Sequence, residues 1–136
     1  MRKFRIIIAG SREFSTEENY RLMRESMDVI IVKLKLSDEE KKELTIVSGC
    51  AKGADTLGER YAEECGYQCT RFPADWEKYG NAAGFMRNAK MAIYSTDPGY
   101  TGILAAFWNG TSRGTKHMIE TAKRYMNDDN VNVISF

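Results

Sequence analysis

The chain has one histidine, His117, among 136 residues, and its three cysteines, Cys50, Cys65 and Cys69, lack the spacing of metal ligands. A zinc site and a disulfide framework both want for donors. No metal and no cofactor is expected, and reduced thiols in a cytoplasm are the simplest reading. No stretch of 18 apolar residues occurs, so no transmembrane helix is expected. The basic start MRKFRIII carries too short an apolar run for a signal peptide and reads as a first strand. A charge surplus is missing too: 20 basic and 19 acidic residues leave a net charge of +1. Attraction to nucleic acid is therefore not built into the whole molecule, although a local basic site can still form. With no repeat, linker or low-complexity tract, residues 1–136 are expected to form a single domain.

What is present suits a packed core, with a hydrophobic fraction of 43%. Phe4 to Ala9 (FRIIIA) is a buried-strand pattern closed by Gly10. Thr16 or Ser15 can cap a helix, Ser15 with Glu18 three residues on in capping-box spacing. Leu22, Met23, Met27, Ile30, Ile31 and Leu34 then recur at helical spacing. Ser37 to Glu43 reads as a connection and Leu44 to Val47 as a second strand. A helix over Ala54 to Cys65 ends at Gly66, a natural C-cap. Tyr67 to Phe72 forms a third strand, stopped by Pro73. Asp75 to Gly80 reads as an irregular loop, Asn81 as the cap of a third helix to about Tyr94, and STDPG as a turn. Ile103 to Trp108, a helix from about Thr115 to Met126, and Val131 to Ile134 complete the order βαβαβαβαβ. Short apolar strands alternating with amphipathic helices predict an α/β fold: a doubly wound, Rossmann-like parallel sheet of about five strands with helices on both faces.

Ligands in such sheets sit outside the carboxyl ends of the strands. The polar residues concentrate there, in GSREF, SGCAKGAD, PADWEKYG and WNGTSRGT. Two of these loops set glycines directly before a helix, where free N–H groups and the helix dipole favour a phosphate. The expected cradle is Gly49, Lys52, Gly53 and Ala54 with Gly110, Ser112, Arg113, Gly114 and Thr115, Arg113 gripping phosphate oxygens bidentately. Gly10, Ser11, Arg12, Asp75 and Asn88 are candidates for the sugar or base, and Trp76 for stacking. Arg87 is expected to point out of the core toward the same edge. Asp55 is discordant beside a phosphate; it can cap the helix or accept from a ribose hydroxyl. Cys50 reads as an inert small residue and His117 as structural. Neither loop is a GxxxxGK[ST] or GxGxxG fingerprint, so ATP hydrolysis and hydride transfer lose support.

IAGSREF, IVSGCAKGADTLGERYA, RFPADWEKYGNAAGFMRNAKM and AFWNGTSRGTKHMIETA together resemble the SLOG-superfamily proteins grouped as DUF2493, related to YspA and YpsA. The resemblance implies a Rossmann-like SLOG fold that binds a nucleotide or a nucleotide-derived, ADP-ribose-like ligand. GSR and SGCAKGAD are also similar to the Smf-type DNA-processing proteins, which bind single-stranded DNA. MRNAKM and GTSRGT are similar to the lonely-guy phosphoribohydrolases, which use an arginine and a glutamate to cleave the base–ribose bond. Arg87 matches that arginine and would be the catalytic one. The glutamate is unmatched: Lys116, His117 and Met118 follow the second Gly-Thr, and the first carboxylate is Glu120. Binding without hydrolysis is therefore the leading expectation. A nucleotide-like small molecule is the expected partner, with no membrane, nucleic acid disfavoured by charge, and a homodimer expected by analogy alone.

Overall fold

The computed structural model describes all residues, Met1–Phe136. In chain order the elements are β1 (Phe4–Gly10), α1 (Glu17–Leu34), α2 (Asp38–Lys42), β2 (Thr45–Ser48), α3 (Ala54–Cys65), β3 (Gln68–Arg71), α4 (Trp76–Tyr79), α5 (Ala83–Ser95), β4 (Thr101–Trp108), α6 (Arg113–Tyr125) and β5 (Val131–Ser135). The five strands form one parallel sheet in the order β3-β2-β1-β4-β5. The chain thus winds outward from β1 to β3, crosses back, and winds outward again through β4 and β5.

The two-residue strand period divides the core. Phe4, Ile6 and Ile8 of β1 face one side, where they meet Met23, Met27 and Ile31 of α1 and Leu57 and Tyr61 of α3. Ile7 and Ala9 face the other, against Met91 of α5 and Met118, Ile119 and Ala122 of α6. Ile6, Ile7 and Ile8 are essentially without solvent contact, each burial worth about 1.5–3 kcal/mol. The central strand is therefore held from both faces, which fixes the height of the loops above it. No helix is long and apolar enough to cross a membrane.

Several local expectations change. The box that starts α1 pairs Thr16 with Asn19, not Ser15 with Glu18: Asn19 N–H donates to Thr16 Oγ1 (3.0 Å) and Thr16 N–H to Asn19 Oδ1 (3.1 Å). The connection after α1 contains α2, with its own box of Ser37 and Glu40. Glu40 also pairs with Arg2 at 2.9 Å, which ties this short helix to the start of β1. The loop after β3 holds the single turn α4, capped by Asp75, whose side chain accepts from Lys78 N–H (3.1 Å). Asn81 does not cap α5, because a 3-10 turn over Gly80–Ala82 runs straight into that helix. Helix α6 begins at Arg113, two residues before the expected start.

Candidate functional site

Strand order reverses between β1 and β4, and a cleft of about 820 Å³ opens above that point. Its walls are the β1–α1 loop, the β2–α3 loop, the first turns of α5 and the first turn of α6. This is the crevice that a doubly wound sheet makes available to a ligand.

The β1–α1 loop is pinned by its backbone. Ser11 N–H donates to Phe107 O (2.9 Å), while Ser11 O accepts from Phe14 N–H (3.1 Å) and Ala54 N–H (3.3 Å). Gly10 admits no side chain, since a Cβ would lie 2.3 Å from Phe107 O. Gly53 has φ +82, and its Cβ would lie 2.3 Å from Arg12 O and 2.5 Å from Ser11 O. Two loops thus close on each other at Gly53. The amide of Ala54 is spent on Ser11, so Gly53 and Ala54 serve this junction and stand outside the cleft wall. The carbonyls of Ser11 and Arg12 fill the space around Gly53, where the sequence suggested room for a phosphate.

Gly49 does border the cleft, for a different reason. A Cβ there would lie 2.9 Å from both Arg87 Cδ and Asp55 Oδ2, so glycine lets an arginine from α5 and a carboxylate from α3 converge. Arg87 Nη1 donates to Gly49 O (2.6 Å) and Nε to Asn88 Oδ1 (3.3 Å). Asp55 is only 5% exposed, and its Oδ2 accepts from Ala51 N–H (3.0 Å). Burial pushes its carboxyl up to about 6; the Ala51 bond and Arg87 pull it back, and Glu59 pushes it further. Desolvation outweighs the nearby arginine because the carboxyl is almost wholly out of water and Arg87 makes no hydrogen bond to it. Cys50, between these groups, has φ 63, a left-handed conformation unusual for a side-chain-bearing residue. Its N–H rests on Ser48 Oγ (3.1 Å), which donates to Glu59 (2.7 Å), which pairs with Arg71 (2.9 Å). Burial and Glu59 hold the Cys50 thiol above its ordinary value, so it is not an activated nucleophile.

The α6 wall is built differently. Asn109 Oδ1 accepts from Thr111 N–H and Ser112 N–H, each at 2.9 Å, and its own N–H donates to Ser11 Oγ (3.2 Å). Its amide also donates to Glu13. Asn109 therefore sets the turn that delivers α6. The amides of Arg113, Gly114 and Thr115 find no partner within the protein, as expected for a helix start without a side-chain cap. Ser112 and Thr115 place hydroxyls 3.0 Å apart beside them, and nothing lies within 4 Å of where a Gly114 side chain would begin. Asn88 braces this turn from α5: its amide donates to Gly114 O (3.2 Å) and to His117 Nδ1 (3.1 Å). That bond places the His117 proton on Nε2, facing Thr121 Oγ1 at 3.5 Å, and Phe85 stacks on the ring at 4.0 Å. Burial lowers the His117 pKa, so the ring is neutral near pH 7 and braces the helix.

The cleft accordingly gathers Gly10, Ser11 and Arg12 from the first loop and Gly49, Lys52 and Asp55 from the second. Trp76, Arg87 and Asn88 come from α4 and α5, and Ser112, Gly114 and Thr115 from α6. Arg113, expected to grip a phosphate, is exposed outside the wall, as is Gly110. Asp75 lines a separate, smaller hollow with Arg71 and Lys90. Sequence reasoning missed Asn109 and Phe85. The Asn-Gly pair at 109–110 is a turn signal that pointed to the first; a half-exposed aromatic on a helix gave none for the second.

A doubly wound α/β protein with a polar cleft at its switch point is thus the class that fold and site define. Residues 4–79 match the YspA, cpYpsA-related SLOG family (YAcAr), and the chain belongs to that family. Over 86 residues it is 35% identical to the Gene 61 protein of Mycobacterium phage D29, an alignment covering 60% of this chain and 65% of that protein. The chain thus spans about 65% of the length of that curated relative. No solved structure matches it.

Proposed function

We propose that the cleft binds a nucleotide or a nucleotide-derived, ADP-ribose-like ligand, and that the protein serves as a sensor or sequestering module for it. The observation that carries this reading is the first turn of α6, with three unpartnered amides and two hydroxyls beside the cleft. A phosphate satisfies those donors and the helix dipole together. Arg12 and Lys52, exposed on the opposite wall, add positive charge. Trp76 and Phe85, both about half-exposed in the same cleft, offer flat surfaces for a base. The volume suits a ligand of nucleotide size.

Membership of the SLOG family is consistent with such a ligand. Hydrolysis gains no support from Glu120, which is exposed on α6 outside the cleft wall. Single-stranded DNA binding gains none from a net charge of +1. Calorimetry against a panel of AMP, GMP, cyclic nucleotides and ADP-ribose is the test. Saturable binding by at least one member, weakened by Thr115→Val, is expected; no binding by any member contradicts the reading.

A further inference from the structure

The cleft is electrically divided, and that division says how a ligand lies in it. The α6 side holds unpartnered donors. The α3 side holds the carboxylate of Asp55. Asp55 is 5% exposed and lines the cleft. One of its oxygens accepts from Ala51, while the other has no partner in the protein. That second oxygen still reaches solvent, so a ligand donor entering the cleft takes the place of water on it. The groups facing Asp55 decide which donor. A phosphate is repelled by the carboxylate. A cationic group is repelled by Arg87, whose Cδ and Nε border the same Gly49 space, and by Lys52. What remains is a neutral donor.

Its place in the ligand follows from the topology. Helices α3 and α6 rise from β2 and β4, which flank β1. The two helices lie on opposite faces of the sheet, and their first turns are linked across α5: Arg87 borders Gly49 beside Asp55, and the next residue, Asn88, donates to Gly114 O. A sugar with its phosphate on α6 and a hydroxyl on α3 bridges these two walls, leaving the base beside Trp76 and Phe85. Resting on the nucleotide reading above, we infer that Asp55 is a specificity-determining residue that accepts hydrogen bonds from the ribose hydroxyls, so that the cleft prefers ribonucleotides to deoxyribonucleotides.

The experiment is calorimetry of wild type and Asp55→Asn, at pH 7.5, with AMP, 2′-deoxy-AMP and 3′-deoxy-AMP. Asparagine keeps the side-chain shape and can still accept from Ala51, and thermal melts confirm the variant's fold. Wild type is expected to bind AMP about tenfold or more tightly than at least one deoxy form, the size of a charge-assisted hydrogen bond lost. Asp55→Asn is expected to bring all three within about twofold of one another. The inference is overturned if AMP and both deoxy forms bind wild type equally, or if Asp55→Asn weakens all three alike, as a purely structural role would. It is also overturned if the variant shifts AMP against GMP while leaving the sugar preference intact, which assigns the carboxylate to the base. Failure of AMP to bind at all defeats the nucleotide reading itself, and the inference with it.

Discussion

Replacing Asp55 by asparagine should remove a pH dependence from the stability of the free protein. An ordinary aspartate loses its proton near 3.8, whereas Asp55 keeps it to about 6. Between those values the folded state holds a proton that the unfolded state has released, so stability falls as pH rises through the window. Just over two decades of proton concentration, at about 1.4 kcal/mol each, amount to about 3 kcal/mol. Below about pH 3 the carboxyl is neutral in both states and the penalty is absent. Above pH 7 it is fully charged and the whole penalty applies. Glu64, held low by Tyr20 and Arg60, titrates below its usual value, acts in the opposite sense and is common to both proteins. The difference between wild type and Asp55→Asn therefore isolates residue 55. Urea denaturation from pH 4 to 8 should show the variant gaining on wild type by about 2.5 kcal/mol, mostly between pH 4 and 6.5. A difference curve that is flat, or in which wild type gains as pH rises, would mean that Arg87 and Ala51 stabilise the charged carboxylate more than burial disfavours it. That result refutes the electrostatic division of the cleft.

Other substitutions separate folding from binding. Gly53→Ala forces a Cβ to 2.3 Å from the Arg12 carbonyl at φ +82 and should cost at least about 2 kcal/mol, lowering the thermal midpoint by roughly 5 °C or more. Gly114→Ala meets nothing within 4 Å and should melt as wild type or higher. Arg12→Ala and Lys52→Ala, both exposed, should leave the melt unchanged while weakening AMP binding roughly two- to fivefold each, an effect that added salt diminishes. Trp76→Ala should weaken AMP roughly three- to tenfold and leave ribose 5-phosphate unaffected in calorimetry.

The sheet was legible because its signals are local. Arg5 apart, FRIIIA is apolar on both faces, as a central strand must be, and α3 ends where expected because Gly66 takes φ +74. Helices α2 and α4 escaped notice because four or five residues show no periodicity. Within the site, the loops that converge were readable, but the task of each glycine was not. Gly53 looks like a phosphate glycine in sequence, yet its partners are Ser11 and Arg12, some forty positions away. Only the register of β1 against β2 and β4 shows that the first loop fills that space. Asp55 seemed out of place beside a phosphate, and in the proposed reading the phosphate lies instead on the donors of α6. Arg113 is the first residue of α6, which starts two residues earlier than expected, and it is exposed outside the cleft wall.

The central claim is that donors on α6 and the acceptor on α3 hold two ends of one small anionic ligand. Titrating isotopically labelled protein with AMP, and following every backbone amide by NMR, tests it most directly. The account predicts saturable shifts at Arg113, Gly114 and Thr115 together with Ala51, Lys52 and Asp55, with the outer face of α1 silent. Shifts confined to one of the two walls, or centred on a different surface, would contradict it.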